Sequence, residues 1–183
     1  MAAEQPLRMS IADYLAYDRA SQDIRYEYDH GHVRALAGGS MAHALIAANL
    51  TALLHEALRA GPCMVFSSDM RLCVAESQYL YPDVVVSRDP LEHGDMLRSP
   101  RMIAEVLSAS TEAYDRGHKF ITYRACPALE DYLLIDAHVM RVEVFHRTGE
   151  HWLLTTAGPD ESVAVRGLDV RLAGARPLRQ SAL

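Results

Sequence analysis

The sequence predicts an α/β domain in which a mixed sheet is flanked by helices, and three observations carry that expectation. From Met41 onward the periodicities run helix, three strands, helix, strand, which mixes antiparallel neighbours with one crossover helix. Half of the 183 residues are apolar and 23% are charged, enough for a buried core and incompatible with intrinsic disorder. The length is close to that of one domain of about 150 residues, and no linker or repeat interrupts it, so 1–183 reads as a single domain.

Each element has a local cause. Ile11, Tyr14, Leu15 and Asp18 recur at helical spacing behind Ser10, a capping residue, and predict a short helix to Arg19. Ile24, Tyr26 and Tyr28 alternate with Arg25 and Glu27, Asp29-His30-Gly31-His32 reads as a turn, and Val33 to Ala37 completes a hairpin. Gly38-Gly39-Ser40 leads into Met41 to Ala60, where Ala44, Leu45, Ala48, Leu54 and Leu58 keep a helical period until Gly61-Pro62. Extended segments follow at Cys63 to Val74, broken at Ser67-Ser68-Asp69, then Tyr79 to Ser87 and Met102 to Leu107, with a loop at His93-Gly94-Asp95 between the last two. Ser108 to Thr111 offer caps for a helix reaching Arg124, which Cys126-Pro127 ends. Asp131 to Ile135 is strand-like, and Val139 to Arg147 with His151 to Thr156 form a hairpin around Thr148-Gly149-Glu150.

Composition narrows the functions. A net charge of −6 excludes a broad basic nucleic-acid surface, so any such partner needs a local site. Residues 84–124 balance at zero while the flanking segments are acidic, which makes this the segment that best tolerates a phosphate backbone. Cys63, Cys73 and Cys126 lack CxxC spacing and suit reduced thiols in a cytoplasmic protein. No basic start with an apolar run marks a secretory signal, and the uncharged stretch from Ala35 to Leu54 is broken by Gly38-Gly39, which favours a soluble helix over a membrane span.

Several charges sit where charges are costly. Tyr79 to Val86 is an apolar run with Pro82 and Asp83 in its middle, and Met102 to Leu107 surrounds Glu105 with apolar neighbours. If both strands are buried, each ionised carboxylate costs several kcal/mol unless a cation or donors answer it, and two such acids on neighbouring strands make a cation site. A half-exposed antiparallel sheet accounts for them too, because alternation there requires only a polar residue. Asp115, Lys119 and Tyr123 fall at i, i+4 and i+8 on one helix face, where the Asp-Lys order also suits a surface pair of about 0.2–0.5 kcal/mol. Lys119 is the one Lys among 18 basic residues, and ammonium and guanidinium are not interchangeable. Glu27, opposite the apolar hairpin face, reads by default as solvent-exposed. His30-x-His32 could bind a metal, but two imidazoles on a turn more commonly face water.

The combination Tyr-Pro-Asp-Val at 81–84, Glu-Val-Leu-Ser-x-Ser-Thr at 105–111, Asp-Arg-x-x-Lys at 115–119 and Tyr123 resembles the Uma-type restriction-endonuclease family of the PD-(D/E)XK superfamily. The likeness runs from Tyr-Glu-x-x-x-Gly at 26–31 through Ser40-x-x-His43 to Phe145. It implies a restriction-endonuclease-like fold, a mixed sheet with an αβββαβ core, flanking helices and extra N- and C-terminal hairpins. It also implies that Asp83, Glu105 and the Val106 carbonyl bind Mg²⁺ or Mn²⁺, that Glu27 is an additional acid nearby, and that His43, Asp115 and Tyr123 support the site. The orthodox motif would place Lys at position 107, which is Leu here, so Lys119 on the following helix takes that part. The function implied is a metal-dependent phosphodiesterase acting on nucleic acid, a DNA endonuclease. The absence of a signal or span predicts a cytoplasmic protein without membrane contact, and paired sites for cutting both strands, with strand edges over Val139 to Leu172, predict a homodimer. A non-catalytic nucleic-acid-binding or assembly protein on the same fold, or a small-molecule hydrolase on the same metal, are the competing readings.

Overall fold

A computed structural model describes residues 7–36, 38–89, 94–136, 138–173 and 178. The N-terminal hexapeptide, Ala37 and His93, each part of an expectation above, lie outside the described residues. Ser10 caps α1 (Ile11–Ala20) by accepting from the Asp13 N–H, and Ser40 caps α2 (Met41–Leu58) by accepting from the His43 N–H. Two six-stranded sheets and a two-stranded ribbon make up the β structure.

The first sheet holds the expected core. Its strands are β4 (Met64–Ser67), β7 (Val84–Ser87), β9 (Pro100–Leu107), β10 (Asp131–Asp136), β11 (Arg141–Thr148) and β12 (His151–Ala157), lying side by side in that order. β7 runs antiparallel to both its neighbours, β4 and β9, while β10 runs parallel to β9 after the crossover helix. With α2 in front, this is the αβββαβ order. The fold class stands as expected.

The second sheet corrects the reading of two strands. Cys63 to Val74 and Tyr79 to Ser87 are each divided between sheets: β5 (Arg71–Ala75) and β6 (Gln78–Leu80) pair with each other away from β4 and β7. The chain leaves the second sheet at Leu80 and enters the first at Val84. Pro82 has no N–H for either ladder, which suits the crossing segment. The N-terminal hairpin, β2 (Tyr26–Asp29) and β3 (His32–Ala35), is no appendage, because β2 pairs with β6 and extends the second sheet. Its connection is the two-residue turn His30-Gly31, both at positive φ (48° and 93°), as a type I′ turn requires. β1 (Leu7–Arg8) and β8 (Met96–Leu97) are the sheet's short edges, and β13 (Ser162–Val165) with β14 (Val170–Ala173) form a further C-terminal hairpin.

Packing decides the environment of the acids. Along β7 and β9, Val84, Val86, Met102, Ala104 and Val106 face the Ile46, Leu50, Leu54 and Leu58 stripe of α2. Val85, Ile103 and Leu107 face the other way, against Leu72 and Leu80 of the second sheet and Tyr123, Cys126 and Leu129. Both faces of β9 are therefore covered, and Met102–Leu107 is buried throughout. The half-exposed sheet is ruled out. The crossover helix begins as α3 (Glu112–Tyr114), widens into a π turn (Asp115–Lys119) and continues as α4 (Phe120–Arg124).

Candidate active site

The two sheets diverge at Tyr81-Pro82-Asp83, and the crossover helix closes the wedge between them. Glu105 is buried from β9, and Lys119, from the π turn, donates to its Oε1 at 3.0 Å. Tyr123, one α-helical turn further on, donates its hydroxyl to the same oxygen at 2.8 Å. Lys119 Nζ also stands 3.3 Å from Glu27 Oε1 and 3.6 Å from Asp115 Oδ1. Glu27 is 2% exposed, which corrects its default reading as a solvated residue: alternation gave its face of the hairpin, and the helix packed on that face buries it. The pair of Asp115 and Lys119 is likewise buried rather than a surface pair.

Asp83 lies at the mouth of this cluster. Its Oδ2 accepts the Val106 N–H at 2.7 Å and meets His43 Nε2 at 3.0 Å. The Asp83 and Glu105 segments are thereby joined side by side. A strand residue that turns its N–H to one neighbour turns its carbonyl the same way, so the Val106 carbonyl opens on the Asp83 side. The structure thus gathers Asp83, Glu105, Lys119, Glu27, His43, Asp115 and Tyr123 about one point, with the Val106 main chain at its edge.

Its charges do not balance. Glu27, Asp83, Glu105 and Asp115 face one ammonium and one imidazole. Burial holds Glu105 well above the usual carboxylate range despite Lys119, and burial raises Asp115 as well. Burial works against the Lys119 charge, yet the carboxylates of Glu105, Glu27 and Asp115 outweigh it and hold the ammonium protonated. The hydrogen bond to Asp83 raises His43. A cluster that keeps protons on its acids is short of positive charge.

The donor set fits a divalent cation of the hard type. The acceptors that Asp83, Glu105 and the Val106 main chain present are all oxygens. Among the described residues no three His, Cys, Asp or Glu side chains already form a closed cage. Mg²⁺ characteristically takes one or two carboxylates and keeps its waters, so a cage of that kind is not what it requires. His30 and His32 are not drawn together: His30 pairs with Asp29 at 2.7 Å and His32 with Arg8 at 3.0 Å.

Sequence reasoning missed the support beneath the crossing segment. Asp18, 3% exposed, accepts from Arg71 at 2.8 Å, from the Tyr81 hydroxyl at 2.5 Å and from the Tyr26 N–H at 2.9 Å. The Tyr81 N–H in turn donates to Glu27 Oε1 at 3.3 Å. An acid at helical spacing with Ile11 and Tyr14 was the available signal.

Comparison with known proteins finds relatives over most of the chain. The family model described as "Uma2: Putative restriction endonuclease" matches residues 11–174. Two proteins of Synechocystis sp. are similar: slr1290, 31% identical over 91% of this chain and 89% of its own, and sll1609, 37% identical over 80% and 86%. A crystal structure described as a putative nuclease belonging to DUF820, from Anabaena variabilis, superposes with a TM-score of 0.70 at 17% identity, covering 84% of this chain and 89% of that one. At that identity the likeness shows the fold.

Proposed function

The chain belongs to the Uma2 restriction-endonuclease family, and from that premise we propose that it is a metal-dependent phosphodiesterase that hydrolyses DNA internally. The observation that carries this is the buried wedge in which Glu27, Glu105 and Asp115, from β2, β9 and the π turn, converge on a single ammonium, with Asp83 at its mouth. Burying such an excess of negative charge without a cation costs several kcal/mol per group. Asp83, Glu105 and the Val106 carbonyl would hold Mg²⁺ or Mn²⁺, and the ion would supply Lewis acidity towards the phosphate and a water of lowered pKa.

The remaining work belongs to the chain. Lys119 sits where its ammonium can direct a water at phosphorus and offset charge as it gathers on the phosphoryl oxygens. Glu27 and Asp115 fix that ammonium, and Tyr123 fixes the Glu105 carboxylate. His43 orients Asp83. Two copies, each cutting one strand, would account for double-strand cleavage, and sedimentation of the free chain reads that directly.

Incubating plasmid DNA with the protein and Mg²⁺ or Mn²⁺ tests the proposal. Nicked or linear products are expected from the wild type and none from Asp83→Ala or Lys119→Ala. Cleavage at the full rate in either variant would overturn it, and DNA binding without turnover under any divalent metal would favour the non-catalytic reading.

A further inference from the structure

Beside the Lys119 cluster, a cavity of about 350 Å³ lies between the N-terminal hairpin and the crossover helix, lined by Glu27, Asp29, His32, Arg34, Tyr114 and His118. This is the lower end of the range for small-molecule pockets. The hairpin register builds one wall: Glu27 stands opposite Arg34 and Asp29 opposite His32, so alternate residues of both strands share a face. The other wall is aromatic. The Arg34 guanidinium lies 4.1 Å over the Tyr114 ring, and the His118 ring stacks on Tyr114 at 5.2 Å and 13°. Arg34 has no hydrogen bond or ion pair among the described residues.

We propose that this cavity receives a nucleobase next to the phosphate that is cut, stacked on the Arg34 and Tyr114 wall and donating an N–H to Glu27. The inference rests on the nuclease reading above and names what that site would read beyond the backbone. Two features select a base over a phosphate. Planar cationic and aromatic side chains are the surfaces on which splayed-out bases stack. Glu27 Oε1 is engaged by Lys119 and the Tyr81 N–H, which leaves Oε2, buried and without a partner, needing a donor. Asp29 needs none, because His30, Gln78 and His118 already donate to it or pair with it.

An ionised carboxylate oxygen accepts only, so it distinguishes base edges. Guanine offers adjacent N1–H and N2–H donors, whereas the N3–H of uracil is flanked by two carbonyls that face the carboxylate unfavourably. GMP should therefore bind about tenfold more tightly than UMP.

Calorimetric titration of the full chain in EDTA with GMP, UMP and ribose 5-phosphate reads the inference without cleavage. GMP is expected to bind best and ribose 5-phosphate not measurably. Arg34→Ala and Tyr114→Leu should each weaken GMP about tenfold, while Asp83→Ala leaves it unchanged. Equal binding of ribose 5-phosphate and GMP, no binding of any nucleotide by a folded wild type, or unaltered GMP affinity in both wall variants would each overturn the inference. Plasmid cleavage is scored separately: a chain that binds GMP with this pattern but cuts nothing supports the base pocket and sinks the catalytic reading.

Discussion

Replacing Lys119 with Met removes one charge from a place where three acids depend on it. The side chain is 7% exposed, and its Nζ lies 3.0, 3.3 and 3.6 Å from Glu105, Glu27 and Asp115. At an effective dielectric near 20, each contact is worth about 5 kcal/mol of gross attraction. Desolvation offsets most of that, so losing the cation while the acids stay buried should cost about 3–5 kcal/mol. The cost should depend on pH. Burial already raises Glu105, and without the ammonium it rises further, so the folded variant holds a proton more tightly than the unfolded chain. Stability of the variant then falls as pH climbs from the ordinary carboxylate range through the folded value. Lys119 itself titrates at the other extreme: its folded value is raised, so its contribution is complete below the unfolded value and is lost only as pH rises through the folded one. Urea unfolding in EDTA, followed by circular dichroism, should show a gap of about 3–5 kcal/mol at about pH 8.5 that narrows at about pH 5.5. A gap below about 1 kcal/mol at both pH values, or one that does not change with pH, would refute the buried-cluster argument.

Four other perturbations probe separate parts of the molecule. The hydrogen bond to Asp83 raises His43, so its contribution is present below the unfolded value and lost as pH rises through the folded one. In EDTA the wild type should lose about 1 kcal/mol between about pH 6 and pH 9 that His43→Gln does not lose, read by urea titration. Asp18→Ala leaves Arg71 buried without its partner and frees Tyr81, so unfolding should be easier by about 3–5 kcal/mol, with cleavage falling in a sample still folded. Leu50→Ala opens the seam between α2 and the first sheet, where Leu50 is fully buried, and should cost about 2–5 kcal/mol with plasmid cleavage intact in the folded fraction. Mn²⁺ at a hundredfold excess over its Kd should stabilise the wild type by about 2.7 kcal/mol and leave Glu105→Ala unmoved, as thermal shifts would report.

The αβββαβ order was legible because each of its elements carries its own period and its own stop. The Gly61-Pro62 break ends α2, and the apolar runs at 84–87 and 102–107 are long enough to show as strands. What periodicity does not encode is which sheet a strand joins. β6 and β7 are continuous in sequence and separate in space, and Pro82 marked a kink without saying that two sheets part there. The same limit governs Glu27. Its polar alternation was visible, but its burial depends on a helix contributed by residues around 114–119. Asp83, Glu105 and Lys119 were legible as a set through the family pattern, and through apolar flanks that make isolated acids costly. The Asp18, Arg71 and Tyr81 network was legible only as an acid on the apolar stripe of α1, because its members are far apart in sequence and no spacing pairs them.

The shift of the lysine from strand to helix has a physical ground in the same packing. Leu107 points to the same side of β9 as Glu105, and it is 4% exposed within the apolar group that includes Leu72, Leu80 and Tyr123. An ammonium at that position would lose its hydration among hydrocarbon side chains, with Glu105 its nearest answer. Lys119 enters from the opposite wall, where Glu27 and Asp115 share its charge and only the end of the side chain must cross to Glu105. A π turn supports that entry, since one extra residue per turn widens the helix locally, and such bulges concentrate at functional sites. Tyr114 borders the same turn and His118 lies in it, with their rings stacked, so the segment that delivers the ammonium to Glu105 also lines the neighbouring cavity. A substitution that restored a regular helix there would disturb both at once, which ties the position of the lysine to the reach of the site towards its substrate.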